Sequence, residues 1–164
     1  MLKKLFFLFP VLFLFVFLFN GCSKSSTSGS CPYINTDTTA PAVESAYIQS
    51  YLTTNGLTAT KHSSGLYYTM TTVGTGDTAV ICSTVVVKYT GWLFSGFKFT
   101  EQVTASPLVL GGTILGWQKG LPLVKAGGTI TLYIPPSLAY GAYQSGIIPA
   151  NSYLIFSIQV VAVQ

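Results

Sequence analysis

An unbroken apolar run near the N-terminus limits what this chain can fold into more than any other feature. The run extends from Leu5 to Phe19, covers fifteen residues, and holds Pro10 and seven of the eleven phenylalanines. A helix that crosses a bilayer needs about twenty apolar residues, and no other stretch of the sequence approaches even fifteen. The sequence therefore excludes a protein built from several membrane-spanning helices.

Charged residues are scarce throughout the chain. They make up 7% of the sequence, whereas an average soluble domain has about 25%. Beyond residue 21, six Lys and four acidic residues are present, and the chain has no Arg. Nucleic-acid binding requires clustered Lys and Arg that neutralise phosphates. Because no such cluster occurs, we expect no nucleic-acid partner.

The N-terminal segment has the order of a secretory signal peptide, with two lysines before the apolar run and a small residue at its end. The ending NGC at 20–22 resembles a bacterial lipobox. This resemblance implies removal of residues 1–21 and acylation of Cys22, which would anchor the protein to the inner or outer membrane of a bacterial cell envelope. An uncleaved signal anchor, or ordinary cleavage beside an unmodified Cys22, are the alternatives. Residues 22–40, rich in Ser and Thr, are predicted to form a tether.

Two further cysteines, Cys31 and Cys82, suit an exported protein. An even pair in an oxidising compartment can form a disulfide, but the spacing leaves two separate thiols as an alternative. A metal site is not expected, because the chain has one His, no CxxC motif and no carboxylate cluster. No cofactor motif is found either.

The pattern of apolar residues beyond the tether predicts an α+β domain. Residues 41–65 are interpreted as a lead-in helix from Pro41 to Thr54 and its connection, because Val43, Tyr47 and Tyr51 recur at helical spacing. Ile48 and Leu52 lie beside them. Strand-like segments follow at 66–73, 83–90, 93–99 with a turn at Ser95-Gly96, 107–110, 129–134 and 153–163. A short helix within 114–124 interrupts them, so we expect an antiparallel sheet with one short helix inserted.

Conventional acid–base chemistry is poorly supported by the sequence. The single histidine, His62, falls in a connection and is interpreted as solvent-exposed, and no GxSxG motif is present. Rotation about an Xaa-Pro amide needs no such groups. Its barrier of about 18–20 kcal/mol arises from C–N resonance, and a dry, aromatic pocket with neutral hydrogen-bond donors can lower it.

Several separate motifs then converge on one family. In chain order they are VKYTGWL at 87–93, SGFKF at 95–99, LGGTILGWQKGL at 110–121, GG at 127–128, IPPSLAYG at 134–141, GIIPAN at 146–151 and LIF at 154–156. In this order and spacing, residues 66–164 resemble an FKBP-type peptidyl-prolyl isomerase, a family that also binds macrolides such as FK506. The resemblance implies an antiparallel half-barrel of five or six strands wrapped over one short helix, with the pocket between them.

The resemblance also implies roles for ten residues. Four form the predicted catalytic surface, with Trp117 as the floor, Phe99 as a wall, and Tyr89 and Tyr140 as rim hydroxyls. Six others are predicted to contact the substrate, including Phe156 as a second wall, Ile114 through its backbone N–H and Ile148 from a loop. The remaining three are Thr100, Leu108 and Thr113. Considered singly, the aromatic residues could equally be core residues of strands and a helix.

Three of these positions depart from the family pattern. Thr100 stands where the family usually has Asp, Thr113 where it prefers Val, and Leu108 lies in a short segment, 100–110, where it places pocket aromatics. The function predicted by the resemblance is isomerisation of Xaa-Pro bonds in exported, proline-containing polypeptides, with FK506-like macrolides as further ligands. The alternatives are a weakly active or inactive binding module for proline-containing or unfolded segments, which Thr100 favours, and a purely structural envelope lipoprotein.

Overall fold

A computed structural model describes residues 31–164, so the predicted signal peptide and Cys22 lie outside the described residues. The described part holds two α-helices and six strands. The helices are α1 (Ala42–Thr54) and α2 (Leu115–Gly120), and short 3₁₀ helices occupy Leu110–Gly112, Leu121–Leu123 and Pro136–Leu138. The strands are β1 (Thr60–Lys61), β2 (Tyr67–Thr72), β3 (Thr84–Leu93), β4 (Lys98–Val109), β5 (Thr129–Ile134) and β6 (Leu154–Val163).

The six strands form one antiparallel sheet in the order β1-β2-β5-β6-β3-β4. Alternate residues of each strand point to opposite faces. In β5, Ile130, Leu132 and Ile134 join the main core, which also includes Trp117 of α2, whereas Tyr133 points to the other face. The predicted α+β fold, with an antiparallel sheet over one short helix and a lead-in helix, is confirmed.

Helix α1 packs on the face of the sheet opposite to α2. Its buried residues are Ser45, Ile48 and Leu52, and the two apolar side chains form a second core cluster with Tyr67 and Tyr133. The predicted apolar face was rotated from the observed one, since Val43 is 74% exposed. Buried Ser45 explains the difference, because its hydroxyl donates to the Gly65 carbonyl oxygen at 2.8 Å and so brings a polar residue inside.

Strand β4 is longer than the sequence predicted. The sequence predicts one strand that ends at Phe99 and a separate one at 107–110, but β4 runs without a break from Lys98 to Val109. Pro107 pairs opposite Val86 and is tolerated because β4 is an edge strand, with one side free of the ladder. A register shift between Val87 and Tyr89 absorbs extra residues of β4 as a bulge, which keeps both its ends paired with β3.

His62 is half-buried, not solvent-exposed as predicted. The Ser64 backbone N–H donates to its Nδ1 at 3.1 Å, and the Ser64 hydroxyl lies 2.8 Å from the same atom. Ser64 in turn accepts from the Ala40 N–H through its carbonyl oxygen at 2.8 Å. His62 therefore belongs to the contact that holds the segment before α1 against the connection to β2.

Candidate functional site

A cavity of about 500 Å³ opens between the sheet, α2 and the loops that follow β4 and β5. Two features set it apart from a simple packing defect: its wall is mostly aromatic and aliphatic, and its lining residues come from six separate segments. All ten residues singled out from the sequence line it, namely Tyr89, Phe99, Thr100, Leu108, Thr113, Ile114, Trp117, Tyr140, Ile148 and Phe156. Gly112, Ser145, Gly146 and Ile147, which sequence reasoning missed, complete the lining.

Trp117 forms the floor of the cavity. It lies on α2, is 4% exposed, and meets two strand residues edge-to-face. Its ring centroid is 5.0 Å from that of Tyr89 at 84° and 5.2 Å from that of Phe156 at 90°. Such perpendicular pairs contribute about 0.5–1.5 kcal/mol beyond burial, so the indole is held in a fixed orientation.

Phe156 links the floor to the wall. Its ring also lies edge-on to Phe99, with centroids 5.5 Å apart at 86°. The close approach of these rings depends on Gly91 of β3, because a Cβ there would come within 2.8 Å of Phe156 and 2.7 Å of Phe99. The glycine of the GW pair at 91–92 is thus required by ring packing rather than by backbone conformation.

The loop before α2 presents a backbone donor to the cavity. Gln118 Nε2 donates to the carbonyl oxygens of Gly111 at 3.0 Å and Thr113 at 2.7 Å, and Thr113 Oγ1 donates to the Leu110 carbonyl oxygen at 2.7 Å. These bonds hold the loop from both sides. Within residues 31–164 the Ile114 N–H donates to no acceptor, and Ile114 lines the cavity.

The opposite rim consists of a tight turn and the segment that carries Tyr140. Ser145 and Ile148 exchange backbone hydrogen bonds of 3.0 and 2.9 Å, and Gly146 has φ +56°. A two-residue hairpin with glycine first in this conformation is a type II′ turn. The turn leaves Ile147 64% exposed at its tip and buries Ile148 to 5% exposure, so Ile147 lines the cavity at its mouth and Ile148 lies deeper.

Among the described residues, no charged side chain lines the cavity. Its polar groups are neutral: the hydroxyls of Tyr89, Tyr140, Thr100, Thr113 and Ser145. Among residues 31–164 no three His, Cys, Asp or Glu side chains cluster as metal ligands would. The Trp117 Nε1 is buried and has no hydrogen-bond partner in the same part of the chain. A site of this kind favours apolar, uncharged ligands.

Cys31 and Cys82 lie outside the cavity lining and are joined as a disulfide, with Cα atoms 5.8 Å apart. The bond ties the segment before α1 to the chain just ahead of β3. Over residues 31–164 no helix has the length and apolar character that a bilayer crossing would need.

The part of the chain that forms the cavity matches a known protein family. Residues 76–161, just over half of the chain, match the family described as FKBP-type peptidyl-prolyl cis-trans isomerase. The chain belongs to this family. The resemblance drawn from the motifs is therefore confirmed, and the cavity occupies the part of the chain that the FKBP-type match covers.

Relatives of this FKBP-type chain occur in several bacteria. The FKBP-type peptidyl-prolyl cis-trans isomerase FkpA of Buchnera aphidicola (strain APS) is 42% identical over 106 residues, 63% of this chain and 44% of that protein. FkpA of Escherichia coli K12 is 42% identical over 105 residues, 62% and 39%. A probable FKBP-type isomerase of Haemophilus influenzae is 44% identical over 104 residues, 61% and 43%. The chain spans about two fifths of the length of these relatives.

Solved structures show the same fold. The crystal structure of E. coli FkpA superposes with a TM-score of 0.67 at 34% identity, covering 75% of this chain and 60% of that one. A peptidyl-prolyl cis-trans isomerase of Pseudomonas syringae superposes with a TM-score of 0.66 at 27% identity, covering 77% and 98%.

Proposed function

We propose that this protein is a peptidyl-prolyl cis-trans isomerase that accelerates Xaa-Pro rotation in exported polypeptides. The observation that carries the proposal is the pairing of an uncharged aromatic cavity with the free Ile114 N–H at its edge. The chemistry requires nothing more, because no bond to the amide is made or broken. The catalyst only has to bind the twisted amide better than the planar one.

The cavity favours the twisted amide in two ways. A proline ring seated on Trp117, between Phe99 and Phe156, leaves water behind, and the twisted amide loses less by this because it is less polar than the planar form. The preceding carbonyl oxygen would accept from the Ile114 N–H, with the Tyr140 hydroxyl as a second donor nearby. Ile148 would cover the ring from the turn above it. FK506-like macrolides are proposed to occupy the same surface.

The test is the exchange rate of a short Xaa-Pro peptide, followed by NMR with and without the protein. We expect faster exchange with the wild-type protein, none of that gain with Trp117→Ala, and a gain reduced about tenfold or more with Tyr140→Phe, because one preorganised donor is lost. Tyr143→Phe is the matched control, since Tyr143 is 80% exposed and does not line the cavity. Circular dichroism verifies that each variant is folded.

A second candidate function is a binding module without catalysis, and Thr100 is the observation that favours it. Thr100 lines the cavity at the position where the family usually has Asp, so a hydroxyl replaces a charge. Under this alternative a proline peptide binds, FK506 competes for the site, and the exchange rate does not change. Thr100→Asp would then raise the rate. A protein that binds neither peptide nor macrolide would support the third possibility, a structural lipoprotein.

We further propose that Cys22 carries lipid and anchors the protein to the cell envelope of a bacterium. The lipobox-like NGC at 20–22 supports the lipid on Cys22. The bacterial origin of the relatives described above supports only the bacterial location. Mass spectrometry of the membrane fraction should find the added mass of acyl chains on Cys22. In cell fractionation, the Cys22→Ala variant should move from the membrane fraction to the soluble fraction. A free amine at Cys22, or a full-length chain starting at Met1, contradicts the proposal.

A further inference from the structure

Helix α1 makes a polar contact with the segment that follows β5. The carboxylate oxygen Oε2 of Glu44 accepts two hydrogen bonds from Ser137, from its backbone N–H at 3.1 Å and from its hydroxyl at 2.7 Å. The two residues are 93 positions apart in the sequence. Glu44 lies in the first turn of α1, outside the stretch 76–161 that matches the family.

Ser137 lies in the segment that carries Tyr140. It is the second residue of the Pro136–Leu138 3₁₀ helix, where an N–H has no carbonyl partner within the turn. The Pro136 carbonyl oxygen accepts from the N–H groups of both Ala139 and Gly141, each at 2.9 Å, which closes the chain around Tyr140. Glu44 therefore satisfies the one donor that the closed turn leaves open on its N-terminal side.

The other side of the same turn is held separately. The Asn151 N–H donates to the Gly141 carbonyl oxygen at 2.8 Å. Tyr140 thus sits between two anchors, one at Ser137 and one at Gly141. Only the first comes from outside the family match, and it comes from a carboxylate rather than from the backbone.

Glu44 is a firm anchor because α1 itself is fixed. Ile48 and Leu52 are 0% and 1% exposed against Tyr67 and Tyr133. The Ser45 hydroxyl, next to Glu44, is tied to the Gly65 carbonyl oxygen. A side chain on such a helix holds its partner in place instead of following it.

We propose that Glu44 is a positioning residue for the isomerase site, which holds Tyr140 at the cavity rim through Ser137. This rests on the proposed function, because Tyr140 matters only if the cavity binds proline-containing chains. Glu44 does not line the cavity, so its effect on the site passes through Ser137. The lead-in helix is then part of the working site and not merely a support for the sheet.

The test compares Glu44→Ala, Glu44→Gln and Ser137→Ala with the wild-type protein in the peptide exchange assay. We expect Glu44→Ala to reduce kcat about tenfold with a smaller change in KM, as a sub-ångström shift of Tyr140 would. Glu44→Gln keeps one acceptor oxygen and should restore part of the rate. Gln49→Ala is the matched control, an exposed position on the same helix, and should leave both constants unchanged.

A second readout does not depend on turnover. Amide hydrogen exchange at residues 137–141 should accelerate in Glu44→Ala, while exchange at Leu132 in the core of β5 stays as in the wild-type protein. Unchanged exchange at 137–141 overturns the proposal, and so does faster exchange with kcat and KM both unaltered. If the wild-type protein proves inactive, the proposed function fails, and peptide affinity replaces kcat. An affinity that Glu44→Ala leaves unaltered then overturns the positioning role as well.

Discussion

The ring of Tyr33 lies against Gly111, so closely that a Cβ on Gly111 would collide with it. Gly111 and Gly112 precede Thr113 and Ile114, which line the cavity. Further along the same segment, Lys119 Nζ of α2 donates to the Thr36 carbonyl oxygen. The chain ahead of α1 therefore packs on the loop that presents the Ile114 N–H.

This contact predicts that Gly111→Ala destabilises the protein by about 1–3 kcal/mol, the usual cost of overpacking. Gly111 does not have a positive φ, so the Tyr33 ring and not backbone strain is the reason. The measurement is the free energy of unfolding in urea. A Cβ on Gly111 would also meet the Tyr33 Cβ at 2.6 Å, so the double variant uses Tyr33→Gly. Most of the loss caused by Gly111→Ala should disappear in that background, whereas two additive losses contradict the explanation.

Reduction of the disulfide between Cys31 and Cys82 should destabilise the domain. The bond closes a loop with a sequence separation of 51. It lowers the conformational entropy of the unfolded chain, which corresponds to a stabilisation of about 4 kcal/mol. The urea midpoint of the wild-type protein should fall on addition of a reductant. Cys82→Ser should already have the lower midpoint and be insensitive to reductant; equal midpoints for wild-type protein with and without reductant contradict the prediction.

Because the pKa of His62 is lowered in the folded protein, we expect the free energy of unfolding to decrease in acid. Burial, and then the positive charge of Lys119, lower the pKa of His62 below its ordinary value of 6.5. Because the unfolded chain takes up the proton more readily, this contribution to stability is complete above pH 6.5 and is lost as the pH falls through the folded pKa. The chain has one His, so its ring proton titrates alone in an NMR spectrum. A midpoint at or above 6.5 contradicts the prediction, and His62→Gln should flatten the acid side of the stability curve.

Two tyrosines with raised pKa values, Tyr133 and Tyr153, lead us to expect a loss of stability in alkali. Burial and then Tyr51 raise the pKa of Tyr133, while burial, then Glu44, then Tyr47 raise the pKa of Tyr153 above the ordinary 10.0. The folded state keeps these protons longer than the unfolded chain, so stability is complete below pH 10 and is lost as the pH rises through the folded pKa values. Ultraviolet absorbance of tyrosinate follows the titration. Glu44→Gln should lower the pKa of Tyr153, and an unchanged value would show that Glu44 has no part in it.

The sequence predicted the residues that line the cavity better than the strands and helix that hold them in place. Trp117, Phe99 and Phe156 could be placed because they fall in motifs whose order and spacing are specific. The sequence did not predict β4 as one strand, because a bulge and Pro107 interrupt the alternation of apolar and polar residues along it. In the structure, β4 pairs with β3 on both sides of the bulge. Periodicity predicted the extent of α1 correctly but not its buried face. That face includes Ser45, whose partner at Gly65 is 20 residues away.

The contacts that connect the lead-in segment to the site could not be found from local patterns. Tyr33 packs on Gly111, and Glu44 accepts from Ser137, but nothing within a few residues of either partner indicates the other. The turn from Ser145 to Ile148 did carry a local signal, the Gly146 that a type II′ turn requires. Reading that turn would have added Ser145 and Ile147 to the predicted lining.

The buried indole N–H of Trp117 gives the protein a built-in optical probe. The chain has two tryptophans, and the other, Trp92, is half-buried in β3 outside the cavity lining. Trp92→Phe would therefore leave a single tryptophan, at the floor of the cavity, whose fluorescence can be excited selectively over that of the tyrosines. Its emission would change when a proline ring or a macrolide displaces water above it, so occupancy could be titrated in an unlabelled protein whether or not the bound chain is turned over.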